Sequence, residues 1–339
     1  MNDLFNPDYL VQTHSYRNIM NSTVLPWLKE KEQEYTISGF GDCSLYCVSY
    51  KADHPIANVL IVHGFTENAY KYAELIWSLL HLRFNVIAYD QRGHGRSSRS
   101  EGIPVPSVTH VDHFSDYVND MKNVCDCFRQ DSTLPFLVFA HSMGGAVASL
   151  FLEQYPDYFT AAVLSSPMIA PYIGGVPGSL ASALCFIAGI LGKRKRNPFF
   201  MKPYSGPENF EESCATDPDR FAWYNEVKAS RTEFQNSVPS YQWAYEALHV
   251  TKKILAPGAP EKISCPVLLF SAETDTSVLS GPQKAFIKRI RAGRYIYVNG
   301  SRHEIYRSEN EVLFPWWHEV ILFLDHYLPE NISQGGISS

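Results

Sequence analysis

The segment Ala140-His141-Ser142-Met143-Gly144-Gly145 has the residue types and spacing of an activated serine. An apolar run, Pro135–Ala140 (PFLVFA), precedes it, and a helical pattern over Ala146–Gln154 follows it. A serine on a sharp turn between strand and helix projects its hydroxyl toward a substrate, which is the context of a G-x-S-x-G elbow. Small residues around the serine let strand and helix approach closely. Gly144 and Gly145 meet that need, and Ala140 is one methyl larger than the usual first glycine. The competing role for Ser142 is a helix N-cap. A serine hydroxyl attacks a carbonyl only when a base takes its proton, and in such folds the acid and then the histidine follow the serine in the chain. Of 12 histidines, His249, His303, His318 and His326 follow Ser142. His318 and His326 fall in an expected last helix, and His249 falls in an irregular stretch. His303 lies just past an expected strand, at the carboxyl edge of a sheet, and is the expected base. The acid follows the apolar run Pro266–Phe270. Asp275 is favoured because a turn there can reach back to the imidazole, and Glu273 is the alternative. The negative oxygen of the tetrahedral intermediate needs backbone donors. These are expected from the N–H of Met143, directly after the serine, and of Phe65 in the loop His63-Gly64-Phe65-Thr66. His63 itself is expected to be structural.

Other candidates carry less. The loop Asp90–Ser97 (DQRGHGRS) has two glycines but matches neither a phosphate-binding loop nor a complete G-x-G-x-x-G. Asp90 and Arg92 are expected to pair with neighbouring backbone or with each other. The seven cysteines are odd in number and scattered, which fits neither a disulfide framework nor a zinc site, Cys125-Asp-Cys127 included.

The elements that must position these residues alternate in type. Strands are expected at Cys43–Tyr50, Ala57–His63, Phe84–Tyr89, Pro135–Ala140, Ala161–Ser165, Pro266–Phe270 and Arg294–Val298. Helices are expected at Tyr70–His81, Phe114–Arg129, Ala146–Gln154, near Gly281–Ile290 and at Glu311–His326. Continuous apolar strands separated by helices argue for a mostly parallel sheet with helices on both faces. The first 40 residues show no clear period. The rhythm also breaks over residues 169–262, which are rich in Pro, Gly and aromatic residues. This stretch is expected to be a lid inserted between a first core part, residues 1–168, and a second, residues 263–339.

Composition narrows the function. The chain has 339 residues, of which 45% are hydrophobic and 19% charged, enough for a sizeable core. The net charge of −6 disfavours nucleic acid as a partner. No apolar run reaches the roughly 18 residues that span a bilayer. The first 30 residues lack a basic start followed by an apolar stretch, so no secretory signal is expected and a cytoplasmic location is. Residues 178–192 (GSLASALCFIAGILG) are uncharged and precede Lys193-Arg194-Lys195-Arg196 and Phe199-Phe200. One reading is a buried lid helix. The other is a peripheral contact with the inner face of a membrane.

The segments HGFTEN, YDQRGHGRSSR, AHSMGG and SRHEI together resemble the α/β-hydrolase superfamily, and within it the monoacylglycerol lipase and bacterial lysophospholipase branch. The stretches 71–99 and Pro239-Ser-Tyr-Gln-Trp look most like the bacterial lysophospholipases, and the resemblance spans roughly residues 25 to 328. It implies the α/β-hydrolase fold, a triad of Ser142, Asp275 and His303, and oxyanion donors at Phe65 and Met143. It also implies a lid that shapes an acyl pocket, a single-chain lipid ester as substrate, and neither metal nor cofactor. The alternatives are a proline-iminopeptidase-like serine peptidase and a general short-chain carboxylesterase. The peptidase would need acidic lid residues for a free α-amine, for which Glu208, Glu211 and Glu212 are the candidates.

Overall fold

A computed structural model describes residues 6–130 and 132–328; the end of the expected second core part, residues 329–339, lies outside them. The chain opens with two short helices, α1 (Tyr16–Ile19) and α2 (Leu25–Lys31), joined by a wider π turn. Then follow β1 (Glu32–Ser38), β2 (Ser44–Tyr50), β3 (Ala57–Val62), α3 (Ala73–His81) and β4 (Phe84–Tyr89). The two-residue strand β5 (Val108–Thr109) precedes α4 (Ser115–Arg129), β6 (Phe136–His141), α5 (Met143–Gln154) and β7 (Ala161–Ser165). The helices α6 (Gly178–Ile190) and α7 (Pro218–Ser230), the short strand β8 (Val238–Pro239) and α8 (Tyr241–Ile254) come next. The chain closes with β9 (Val267–Thr274), α9 (Ser280–Ile287), β10 (Gly293–Arg302) and α10 (Asn310–Tyr327).

Eight strands form one sheet in the order β1-β2-β4-β3-β6-β7-β9-β10. β1 and β2 pair antiparallel, as do β2 and β4, and the other neighbours are parallel. The central strands are predominantly apolar because both of their faces are covered. Side chains alternate along a strand, so Val59 and Ile61 of β3 enter one core with α3 and α10, whereas Leu60 and Val62 enter another with α4 and α5. Leu137 and Phe139 of β6 divide from Val138 and Ala140 in the same way. Helices therefore cover both faces, as expected.

The hundred residues between β7 and β9 are tied to the rest at many places, two of which fix their course. β8 pairs with β5 through Val108–Val238 and Thr109–Pro239. Arg220 of α7 is fully buried and holds Glu74 of α3 through Nε–Oε2 at 2.8 Å and Nη2–Oε1 at 2.6 Å, with Asp217 at 3.0 Å. A buried guanidinium needs such partners, since an unpaired charge there is strongly destabilising. α6 differs from the buried helix that its sequence allowed. Ala188 is buried, whereas Leu180, Leu184, Phe186, Ile187 and Ile190 are each more than half exposed. No described helix is long and apolar enough to cross a membrane.

Glu153 on α5 is buried, and one of its carboxylate oxygens has no partner among the described residues. Burial pushes its pKa up to about 8, against the opposing pull of Lys262 and Arg289. The folded protein thus keeps a proton that the unfolded chain releases in the ordinary glutamate range. Stability should fall as pH rises from that range to about 8 and change little from this group above it. Glu153→Gln mimics the protonated acid. Thermal scans should give the variant a Tm at pH 8 at or above that of the wild type, with a flatter dependence on pH. Parallel Tm–pH curves would contradict this assignment.

Candidate active site

Ser142 stands between β6 and α5 with φ 52° and ψ −118°. A non-glycine residue with positive φ is held there by its surroundings. Its N–H donates to Ser165 O, and its carbonyl accepts from Ala146 N and Met168 N. The two glycines after it are required by space. A Cβ on Gly144 would lie 2.1 Å from the Val62 carbonyl oxygen, and one on Gly145 would lie 2.5 Å from Pro167 Cβ. The larger Ala140 is accommodated in the buried core of β6.

The Ser142 side chain makes no capping bond to α5. Instead its Oγ lies 2.8 Å from His303 Nε2, and His303 Nδ1 lies 2.8 Å from Asp275 Oδ2. With Ser142 donating to Nε2, the imidazole carries its proton on Nδ1 and donates it to Asp275. The other Asp275 oxygen accepts from the N–H of Ser277 and Val278 at 2.8 and 2.9 Å. Burial acts to raise the Asp275 pKa, but the His303 charge, its hydrogen bond and the two amides hold it below the usual value. The carboxylate thus stays ionised and fixes the ring.

Glu273, the alternative acid, is exposed and accepts from Gly300 N at 2.7 Å. It serves the bend in β10 rather than the imidazole. β9 runs on to Thr274 and β10 to Arg302, further than the apolar runs suggested. Asp275 and His303 therefore follow directly on paired parallel strands, at one end of the sheet. The other late histidines lie apart from Ser142: His249 is on α8, where it bonds Tyr245 O, and His318 and His326 are on α10.

The loop after β3 lies against the serine, since a Cβ on Gly64 would be 3.1 Å from Ser142 Cβ. Neither Phe65 N–H nor Met143 N–H has an acceptor among the described residues. The Phe65 ring packs against Trp243 of α8 with centroids 4.1 Å apart and planes tilted by 35°. His63 holds this loop in place: its Nδ1 bonds Gly64 O at 2.7 Å, and its Nε2 accepts from Gln91 N at 2.9 Å. Sequence reading missed Glu67 in this loop. It is buried and accepts from Gly64 N at 2.6 Å, Tyr72 Oη at 2.6 Å, Tyr306 Oη at 2.7 Å and Lys71 Nζ at 2.9 Å. Burial acts to raise its pKa, yet Lys71, His141 and the Tyr72 hydroxyl hold it well below the usual range. The signal was a glutamate three residues after Gly64, inside an otherwise neutral turn. His141 packs 4.8 Å from the His303 ring, and burial lowers its pKa to about 4. It stays neutral and does not compete as a base.

Arg92 does not pair with Asp90. It clamps Asp120 at 2.6 and 2.7 Å and donates to Phe40 O, while Asp90 accepts from the N–H of Ala69 and Arg96. These bonds make residues 90–97 a structural loop.

A family described as Serine aminopeptidase, S33, matches residues 53–311, which contain every residue of this site. The chain belongs to that family. Lysophospholipase L2 of Escherichia coli (strain K12) is 28% identical to this family member over 326 residues, covering 89% of each chain. The monoacylglycerol lipase of Mycolicibacterium smegmatis is 29% identical over 194 residues, which cover 56% of this chain and 62% of the relative. Among solved structures, the monoacylglycerol lipase of Paleococcus ferrophilus superposes with a TM-score of 0.60 at 20% identity, covering 80% of this chain and 97% of its own. That likeness establishes the α/β-hydrolase fold for this S33 member.

Proposed function

We propose that the chain hydrolyses carboxylic esters of single-chain lipids, lysophospholipids or monoacylglycerols, through an acyl-enzyme on Ser142. The observation that carries this reading is the continuous relay of two 2.8 Å bonds from Ser142 through His303 to Asp275, with the serine on a strained turn. Ser142 Oγ attacks the ester carbonyl as His303 Nε2 takes its proton. Phe65 and Met143 N–H donate to the oxyanion. His303 then gives the proton to the departing alcohol, and water releases the fatty acid by the same route. The lipid substrate is supported by the lysophospholipase relative, which matches along 89% of the chain.

A peptidase would need an acid free to hold an α-amine. Glu208 is paired with Lys228, and Glu211 and Glu212 face solvent. The test is a substrate panel on pure protein: lysophosphatidylcholine, monoacylglycerol, short p-nitrophenyl esters and Pro-naphthylamide. The kcat/KM values should be highest for one of the two lipids. A preference for Pro-naphthylamide would establish the peptidase, and a preference for the short esters a general carboxylesterase.

Residues 169–262 act as a lid in this account. Trp243 packing against Phe65 and Cys214 Sγ lying 3.6 Å from Ser277 Oγ bring this segment against both the oxyanion loop and the acid loop. Its outer face contacts an anionic membrane surface from which the substrate is drawn. Ile190 is 70% exposed and Phe199 91%, and the basic run Lys193–Arg196 lies between them. Basic residues near an anionic surface add about 1 kcal/mol each, and the attraction is local, so the net charge of −6 does not oppose it. Wild-type protein should co-sediment with anionic vesicles at low salt and less at moderate salt. Replacing all four basic residues with Gln should reduce that binding at least several-fold. Absence of wild-type binding at low salt would reject the membrane contact.

A further inference from the structure

A cavity of about 580 Å³ is lined by chain neighbours of the site residues, though by none of the triad itself. Thr66, which follows Phe65, lines it, as do Glu304, which follows His303, and Cys214, which contacts the Asp275 loop through Ser277. This position has a chemical meaning. In ester cleavage the histidine returns its proton to the leaving alcohol, so the alcohol half of the substrate must lie on the His303 side of Ser142. For a single-chain lipid that half is the head group.

The cavity wall is built for charge. Lys71, Lys228 and Arg307 line it with side chains less than a tenth exposed, and Lys202 and Glu212 line it as exposed residues. Lys71 and Arg307 are already matched, both of them to Glu304 and Lys71 also to Glu67. Lys228 is matched to Glu208, whose carboxylate stands half exposed at the rim. Burial pulls the Lys228 pKa down even with Glu208 beside it. An ammonium has three donors, and one is used here. Two further donors in the same wall are idle. The hydroxyls of Tyr204 and Ser237 are shielded from solvent and have no hydrogen-bond partner among the described residues. Buried polar groups are rarely left in this way, and a cavity lined by idle donors suits an occupant that brings acceptors. Phosphate oxygens supply both the acceptors and the negative charge. A neutral glycerol supplies no charge.

We propose that this cavity receives the phosphate-bearing head group of the substrate, with the Lys228 ammonium and the Tyr204 and Ser237 hydroxyls donating to its oxygens. The proposal rests on the reading of the chain as a lipid-ester hydrolase and selects lysophospholipids within it. A site built to bond a group discriminates against the analogue that lacks it, because its buried donors are then left unpaired.

The test compares kcat/KM for lysophosphatidylcholine with that for a monoacylglycerol of the same acyl chain, using the full chain. The ratio should favour the phospholipid in the wild type. It should fall at least about tenfold in Lys228→Met and several-fold in Tyr204→Phe. Tyr204→Phe keeps the ring over which the Lys228 ammonium sits, so it decides the matter if Lys228→Met fails to fold. A ratio within about twofold of wild type in the folded variants overturns the proposal. So does a wild type that cleaves monoacylglycerol and not lysophosphatidylcholine, which leaves the lipid-ester reading standing. A wild type that cleaves neither lipid rejects that reading itself. Inhibition of monoacylglycerol hydrolysis by inorganic phosphate, lost in Lys228→Met, together with a wild-type ratio that does not favour the phospholipid, would assign the cavity to free phosphate and overturn the head-group role.

Discussion

Ser142→Ala is expected to lower kcat by about four or more orders of magnitude while the protein stays folded. Removing Oγ removes the nucleophile, and His303 is then left without the proton it is placed to accept at 2.8 Å. The fold should survive, because the strained turn is held by backbone bonds from Ser142 N and O and by the close approach at Gly144 and Gly145. The hydroxyl does not cap α5, so its loss leaves the helix N-terminus as it was. His303→Ala should be about as severe, since serine and base act as one unit and their effects do not add. Kinetics on both single variants and the double variant check this, with Tm as the control for folding. A folded Ser142→Ala protein with near-wild-type turnover would remove Ser142 from the mechanism.

Asp275→Asn is expected to cost about four orders of magnitude in kcat, and Glu273→Gln little. An asparagine can turn an NH2 toward His303 Nδ1, which favours the tautomer with its proton on Nε2. That tautomer cannot accept from Ser142. The amides of Ser277 and Val278 donate to Asp275 and favour placing the one asparagine oxygen on them, leaving the NH2 for the ring. Glu273→Gln keeps an acceptor for Gly300 N and lies away from the imidazole. Steady-state kinetics on both variants decide the matter, and the reverse order of severity would move the acid to Glu273.

The sheet was legible because its central strands are apolar on both faces. Ala57–Val62, Phe136–His141 and Ala161–Ser165 could hardly be placed elsewhere. The same logic fails at the edge. β1 reads EQEYTIS, with Ile37 as its one buried residue, because an edge strand covers little apolar surface. The helices before it are too short to show a period, and the π turn between them breaks what period exists. Of the site, the serine and histidine were legible from local context, since a turn between strand and helix is written in consecutive residues. The preference for Asp275 over Glu273 was less sharp, because it depends on where β9 ends, and the strand outruns its apolar run by four residues, Ser271–Thr274. Glu67 was hidden for a related reason. Its partners Tyr72, Lys71 and Tyr306 converge only through the tertiary fold. The exposure of α6 was also beyond the sequence, which gives the same apolar run to a buried helix and to one facing outward.

The central claim is that Ser142 is the acyl-accepting nucleophile of a lipid-ester hydrolase. A long-chain alkyl fluorophosphonate tests it most directly, because the probe pairs a single lipid-like chain with a phosphorus centre that an activated serine attacks far faster than other side chains do. Peptide mapping by mass spectrometry after labelling should find one adduct, on the peptide containing Ser142, formed in step with loss of activity. His303→Ala should slow its formation by orders of magnitude. An adduct on another residue, or full inactivation with the Ser142 peptide unmodified, would contradict the account.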